Sequence, residues 1–84
     1  MTDIDDIERK LDEAFAAVFP ALTLAEIRAA SIRSVAEWDS METLTLIAII
    51  EESYDLVISV EDLEDLTSYD LIRDYLTRSL VGTA

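Results

Sequence analysis

Neither cysteine nor histidine occurs anywhere in the chain, and that removes several kinds of chemistry at once. No disulfide framework, thiolate metal site or cysteine nucleophile can be built. The commonest general base and commonest metal ligand is missing as well. The single lysine, Lys10, reads as part of the polar side of a helix. One glycine (Gly82) and one proline (Pro20) are present, which argues against hairpins and for helices joined by polar linkers. No apolar stretch, Leu46 to Ile50 included, is nearly long enough to span a bilayer. Met1 to Asp6 have neither a basic start nor an apolar run, so no signal peptide is read and a cytoplasmic location is expected.

What is present is acid and hydrocarbon. Nineteen acidic side chains face six basic ones, giving a net charge of −13. Self-repulsion at that charge opposes folding, so the imbalance asks for a use. Phosphate repels such a surface, which makes nucleic acid and anionic membranes poor partners. A protein with a basic docking patch fits instead. Hydrophobic residues make up 51% of the 84, enough to exclude disorder. A chain this short buries roughly 60–65% of its unfolded surface. That allows one domain, residues 1–84, but not a deep catalytic cleft, and a non-enzymatic monomer is expected.

The apolar spacing predicts an all-α fold. Ile4, Ile7, Leu11, Phe15 and Val18 recur at helical intervals over about 3–18. Thr2 with Asp5 opens this helix and Phe19-Pro20 closes it. Thr23-Leu24-Ala25-Glu26 reads as a capping box for a short turn over about 24–30. Residues 31–38 read as irregular linker. Asp39 can cap a helix over about 40–54, with Met41, Leu44, Ile47, Ala48, Glu51 and Tyr54 on successive turns. Leu56-Val57-Ile58 has strand-forming residues but no partner strand of similar quality, and reads as a buried connector. Ser59 with Asp62, and Thr67 with Asp70, signal helices over about 60–66 and 68–80. Leu71, Ile72, Tyr75, Leu76 and Leu80 form the apolar side of the last one. The architecture is three longer helices and a short one, with a long connection between the first two major helices.

Catalytic constellations are scarce. Asp5-Asp6, Glu51-Glu52 and Glu61-Asp62 are adjacent carboxylates on solvated helix faces, not acid/base pairs. No glycine follows an acidic cluster as an EF-hand loop requires, so no metal site is read. Ser40 stands apart by its setting. It follows a capping Asp at the head of an apolar helix, behind a long linker. There its hydroxyl lies near unpaired backbone N–H groups. The helix dipole favours an attached phosphate by roughly 0.3–1 kcal/mol. The hydroxyl suits modification by another enzyme, because no base is in reach by sequence to make it a nucleophile. On spacing alone, an ordinary first-turn serine beside a capping Asp is the better explanation.

The surroundings of Ser40 add more. Asp39-Ser40-Met41 resembles the Asp-Ser-Leu signature of the acyl carrier protein family. From Asp39 to Leu76 the chain can be laid on a fatty-acid-synthase type carrier without a gap. Glu51-Glu52 and Tyr54 fall where that family has an acidic pair and an aromatic, and Ile58, Glu61-Asp62, Leu66-Thr67 and Asp74-Tyr75-Leu76 fall at matching places. The resemblance implies an acyl-carrier-type four-helix bundle. It implies a 4′-phosphopantetheine arm, donated by coenzyme A and attached covalently to Ser40. Acyl or aminoacyl intermediates would ride on it as thioesters. Partners would be a phosphopantetheinyl transferase, an acyl- or aminoacyl-loading ligase, and downstream synthases with basic docking patches. A D-alanyl, aminoacyl or peptidyl carrier is the close alternative. An unmodified acidic helical adaptor that binds a basic protein is the alternative from another class.

Several residues depart from the family pattern. Glu37-Trp38 stands where many carriers have a glycine and a small residue. Met41 replaces the usual leucine, as in some D-alanyl carriers, and Thr45 replaces a glutamate often used in docking. Leu63 and Ile72 are larger than the small residues common in fatty-acid carriers, so a short, polar or aminoacyl cargo is expected. Between Arg33 and Arg73 there is no cation, while eleven acids occur. The expected docking set is Asp39, Met41, Glu42, Glu51, Glu52, Glu61 and Asp62, with Leu44 divided between docking and core.

Overall fold

A computed structural model describes residues 4–80, and every regular element among them is a helix. The helices are α1 (Ile4–Val18), α2 (Leu24–Arg28), α3 (Ser40–Tyr54), α4 (Val60–Leu63) and α5 (Tyr69–Leu80). Thr2, read as the cap of α1, lies outside the described residues. The radius of gyration, 11.9 Å, is that of a packed chain of this length, about 12 Å.

α1 is the central element and packs against α2, α3 and α5. Ile7, Leu11, Ala14 and Phe15 recur every three or four residues, and all four are buried. They meet Leu46, Ile47, Ile50 and Tyr54 of α3 and Tyr69, Ile72 and Leu76 of α5 in one apolar core. Phe15, Phe19, Trp38 and Tyr69 form an aromatic cluster within it. Phe15 meets Trp38 edge-on at 5.4 Å, the arrangement that ring quadrupoles favour.

Polar side chains fasten the same elements. Asp12 on α1 accepts from the Arg28 guanidinium (2.8 Å) and the Tyr69 hydroxyl (2.7 Å), joining α1, α2 and α5. The Tyr54 hydroxyl donates to the carbonyl of Ile7. Lys10 sits over the Tyr54 ring at 5.7 Å, a cation–π contact.

Caps explain where the helices start. Thr23 and Glu26 form the expected reciprocal box, at 3.2 and 2.8 Å. Asp39 accepts from the Glu42 amide at 3.0 Å, and Ser59 from the Asp62 amide at 3.2 Å. The last helix differs from expectation. Ser68, not Thr67, accepts from the Leu71 amide at 3.2 Å, so α5 begins at Tyr69. Thr67 is held instead by its carbonyl, which accepts from Ile32 N–H at 3.0 Å, beside a lone Ser31–Ser68 bridge. That bridge pins the linker after α2 to the start of α5. The short turn ends at Arg28 and not Ala30, because Ala30 leaves the helix to give its carbonyl to Tyr69 N–H at 3.0 Å.

Two further expectations need correction. The helix expected over 60–66 stops at Leu63, and Glu64 and Asp65 continue as a turn. α4 buries no residue of its own, so nothing extends it, while Leu66 turns inward to the core. The 56–58 segment is not buried throughout. Ile58 is buried and Leu56 half-buried, but Val57 is 87% exposed. Asp55, left-handed at φ 54°, ends α3 and sets that alternation.

Candidate functional site

Ser40 is the first residue of α3 and is exposed. The backbone on which it stands is held from three directions. The Asp39 carboxylate caps the Glu42 amide. The Asp39 carbonyl, whose peptide plane leads into Ser40, accepts from the Thr43 amide and the Thr43 hydroxyl, each at 2.9 Å. The Asp39 amide donates to the Glu37 carbonyl at 3.1 Å. Among the described residues, no hydrogen bond links the Asp39 carboxylate to the Ser40 hydroxyl. The geometry presents an exposed hydroxyl at the positive end of a 15-residue helix, suited to carrying an anionic group placed there by an external catalyst.

Around Ser40 the surface is apolar and acidic. Met41 is 75% exposed and Leu44 60% exposed. Leu44 is therefore a surface residue; Leu46, Ile47 and Ile50 take the core face. Ser40 opens onto a shallow groove of about 320 Å³ lined by Ile32, Thr43, Leu44, Val60, Leu63 and Thr67, with Glu64 at its edge. Val60 is 77% exposed.

The expected docking residues fall into two groups. Asp39, the N-cap of α3, and Met41, Glu42, Glu61 and Asp62 lie at the starts of α3 and α4, the two helices that wall the groove. Glu51 and Glu52 stand at the far end of α3, about 16–18 Å along its axis from Ser40 at 1.5 Å per residue. Glu51 and Asp62 are also structural. Glu51 accepts from the Ile58 amide at 2.8 Å, and Asp62 from the Tyr75 hydroxyl at 3.0 Å. Burial, then the Asp62 carboxylate, pushes the Tyr75 phenol above its ordinary range.

Among the described residues, every ion pair runs to Arg9, Arg28 or Arg73, on α1, α2 and α5. None of the acids from Glu37 to Asp65 takes part. The uncompensated charge therefore gathers on the α3–α4 side, where Ser40 lies. Sequence reasoning missed Trp38 and Thr43 beneath Ser40, and Val60 at the groove. An aromatic beside a capping Asp was the available signal for the first; nothing local marked Val60.

No family model matches the chain, and no curated protein gives a sequence match.

Proposed function

We propose that the protein is a non-enzymatic carrier of the acyl carrier type, with 4′-phosphopantetheine on Ser40 as its cargo arm. The observation that carries this reading is the exposed Ser40 hydroxyl in the Asp39-capped first turn of α3, with apolar and unpaired acidic side chains around it. The helix order supports it too: a long connection, then a long helix with the serine at its head, then a short helix and a final long one. The thiol of the arm would supply the thioester chemistry that a cysteine-free chain lacks. Acyl or aminoacyl groups would travel on it between a loading ligase and downstream synthases.

Partners with basic patches, the phosphopantetheinyl transferase first, would dock on Met41, Glu42, Leu44, Val60 and Glu61. Ile72 is fully buried and Leu63 packs half-buried against the core, which supports a short or aminoacyl cargo that stays in solvent. Intact-mass measurement tests the reading. After incubation with coenzyme A and a broad-specificity transferase, the wild type gains one phosphopantetheine and Ser40→Ala gains none. A wild type left unmodified by several transferases supports the unmodified acidic adaptor instead.

A further inference from the structure

One polar chain beside Ser40, running from the buried Trp38 ring to the half-buried Thr43, is not used by the proposed chemistry. Trp38 is the only tryptophan, is 2% exposed, and precedes Ser40 by two residues. Its ring is wedged against Phe15 at 5.4 Å and Phe19 at 5.9 Å, so α1 fixes its place. Its indole N–H donates to the Thr43 hydroxyl at 2.8 Å, and that hydroxyl donates onward to the Asp39 carbonyl at 2.9 Å. The same carbonyl also takes the Thr43 amide at 2.9 Å. One hydroxyl thus accepts from the core and donates to the peptide plane that carries Ser40. A hydroxyl with both roles filled cannot rotate freely, and such linked bonds reinforce one another.

We infer that Trp38 and Thr43 are positioning residues for modification at Ser40. They couple the α1 core to the Asp39–Ser40 peptide, so that the serine is presented in one orientation to the transferring enzyme. A looser peptide would spend less time in the orientation that the enzyme accepts, and apparent affinity falls by that fraction. The inference rests on the carrier reading of Ser40 and goes beyond it, because the adjoining residues could have held Ser40 through the Asp39 cap alone.

The experiment is steady-state modification kinetics with coenzyme A and a transferase that modifies the wild type. Thr43→Val keeps the shape and removes the hydroxyl. It should raise KM for the carrier about tenfold, the weight of roughly one hydrogen bond, with kcat at saturation little changed. Thr43→Ser restores the hydroxyl and should recover wild-type KM. Trp38→Phe keeps an aromatic in the cluster, loses the N–H donor and should raise KM as Thr43→Val does. Thr77→Val is the control, because the Thr77 hydroxyl makes the same kind of bond to Arg73 O at 2.8 Å on α5. It should leave KM unchanged. Wild-type KM in Thr43→Val, or an equal rise in Thr77→Val, overturns the inference while the carrier reading stands. A wild type that no transferase modifies removes the carrier reading itself, and the inference with it.

Discussion

At the scale of single residues, carboxylates that look alike in sequence do different work. Glu51 and Glu52 are neighbours, yet Glu51 accepts the Ile58 amide and Glu52 is exposed. Removing Glu51 strands a half-buried amide, which costs about 1–2 kcal/mol. Glu51→Ala should therefore lower the urea midpoint clearly, while Glu52→Ala stays within about 0.5 kcal/mol; equal midpoints would contradict this division. The tyrosines set an alkaline limit. Burial raises the Tyr54 and Tyr69 phenols well above their ordinary value of 10.0, and nearby Asp12 adds to both. A raised folded value means that the native state holds these protons more tightly than the unfolded chain does. The resulting stability is complete below about pH 10 and is lost as pH rises further. Melting temperature should hold up to that pH and then fall, less steeply in Tyr69→Phe. The Asp39 cap and the place of Ser40 at the head of α3 were legible because a cap acts within four residues. Glu51 was not, because its partner lies seven residues on, across a left-handed turn at Asp55.

At the scale of elements, caps and periodicity located α1, α2 and α3, and failed where tertiary contacts decide. Apolar residues occupy nearly every side of α3 through Leu44, Leu46, Ile47, Ala48, Ile49 and Ile50, so periodicity cannot choose its buried face. Contact with α1 chooses it, and Met41, Leu44 and Ala48 are left outside. The end of α4 was illegible for the opposite reason. Glu61, Asp62, Glu64 and Asp65 suit a helix locally, but only burial of Leu66 ends it. The connector before it offers a direct check. Ile58→Ala should cost about 2–4 kcal/mol, as a buried Ile truncation does, and Val57→Ala under about 0.5 kcal/mol. Chemical denaturation measures both; similar losses would place Val57 in the core after all.

For the whole molecule, charge is divided by side. Ion pairs fasten α1, α2 and α5, while the acids of α3 and α4 form no ion pair among the described residues. Salt should therefore act in two directions at once. Screening relieves repulsion in a chain of net charge −13, so melting temperature should rise with ionic strength. The same screening should slow docking of a basic transferase, and Glu42→Lys should slow it modestly, each exposed pair being worth under about 1 kcal/mol. A modification rate indifferent to both salt and Glu42→Lys would contradict charge-led docking. The acid-only stretch was plain in the sequence. Its gathering on the side of the molecule where Ser40 lies needed the fold, because the chain reverses at Asp55 to bring residues of α3 and α4 to the same groove.

The most direct test of the account is the location of the modification. Trypsin should release residues 34–73 as one peptide, since no Lys or Arg lies between Arg33 and Arg73. That peptide also contains Ser34, Ser53, Ser59 and Ser68, so fragmentation must assign the site among competing hydroxyls. After treatment with coenzyme A and a phosphopantetheinyl transferase, the account predicts one added phosphopantetheine, on Ser40 alone. An unmodified peptide, or the group on any other serine, would contradict it.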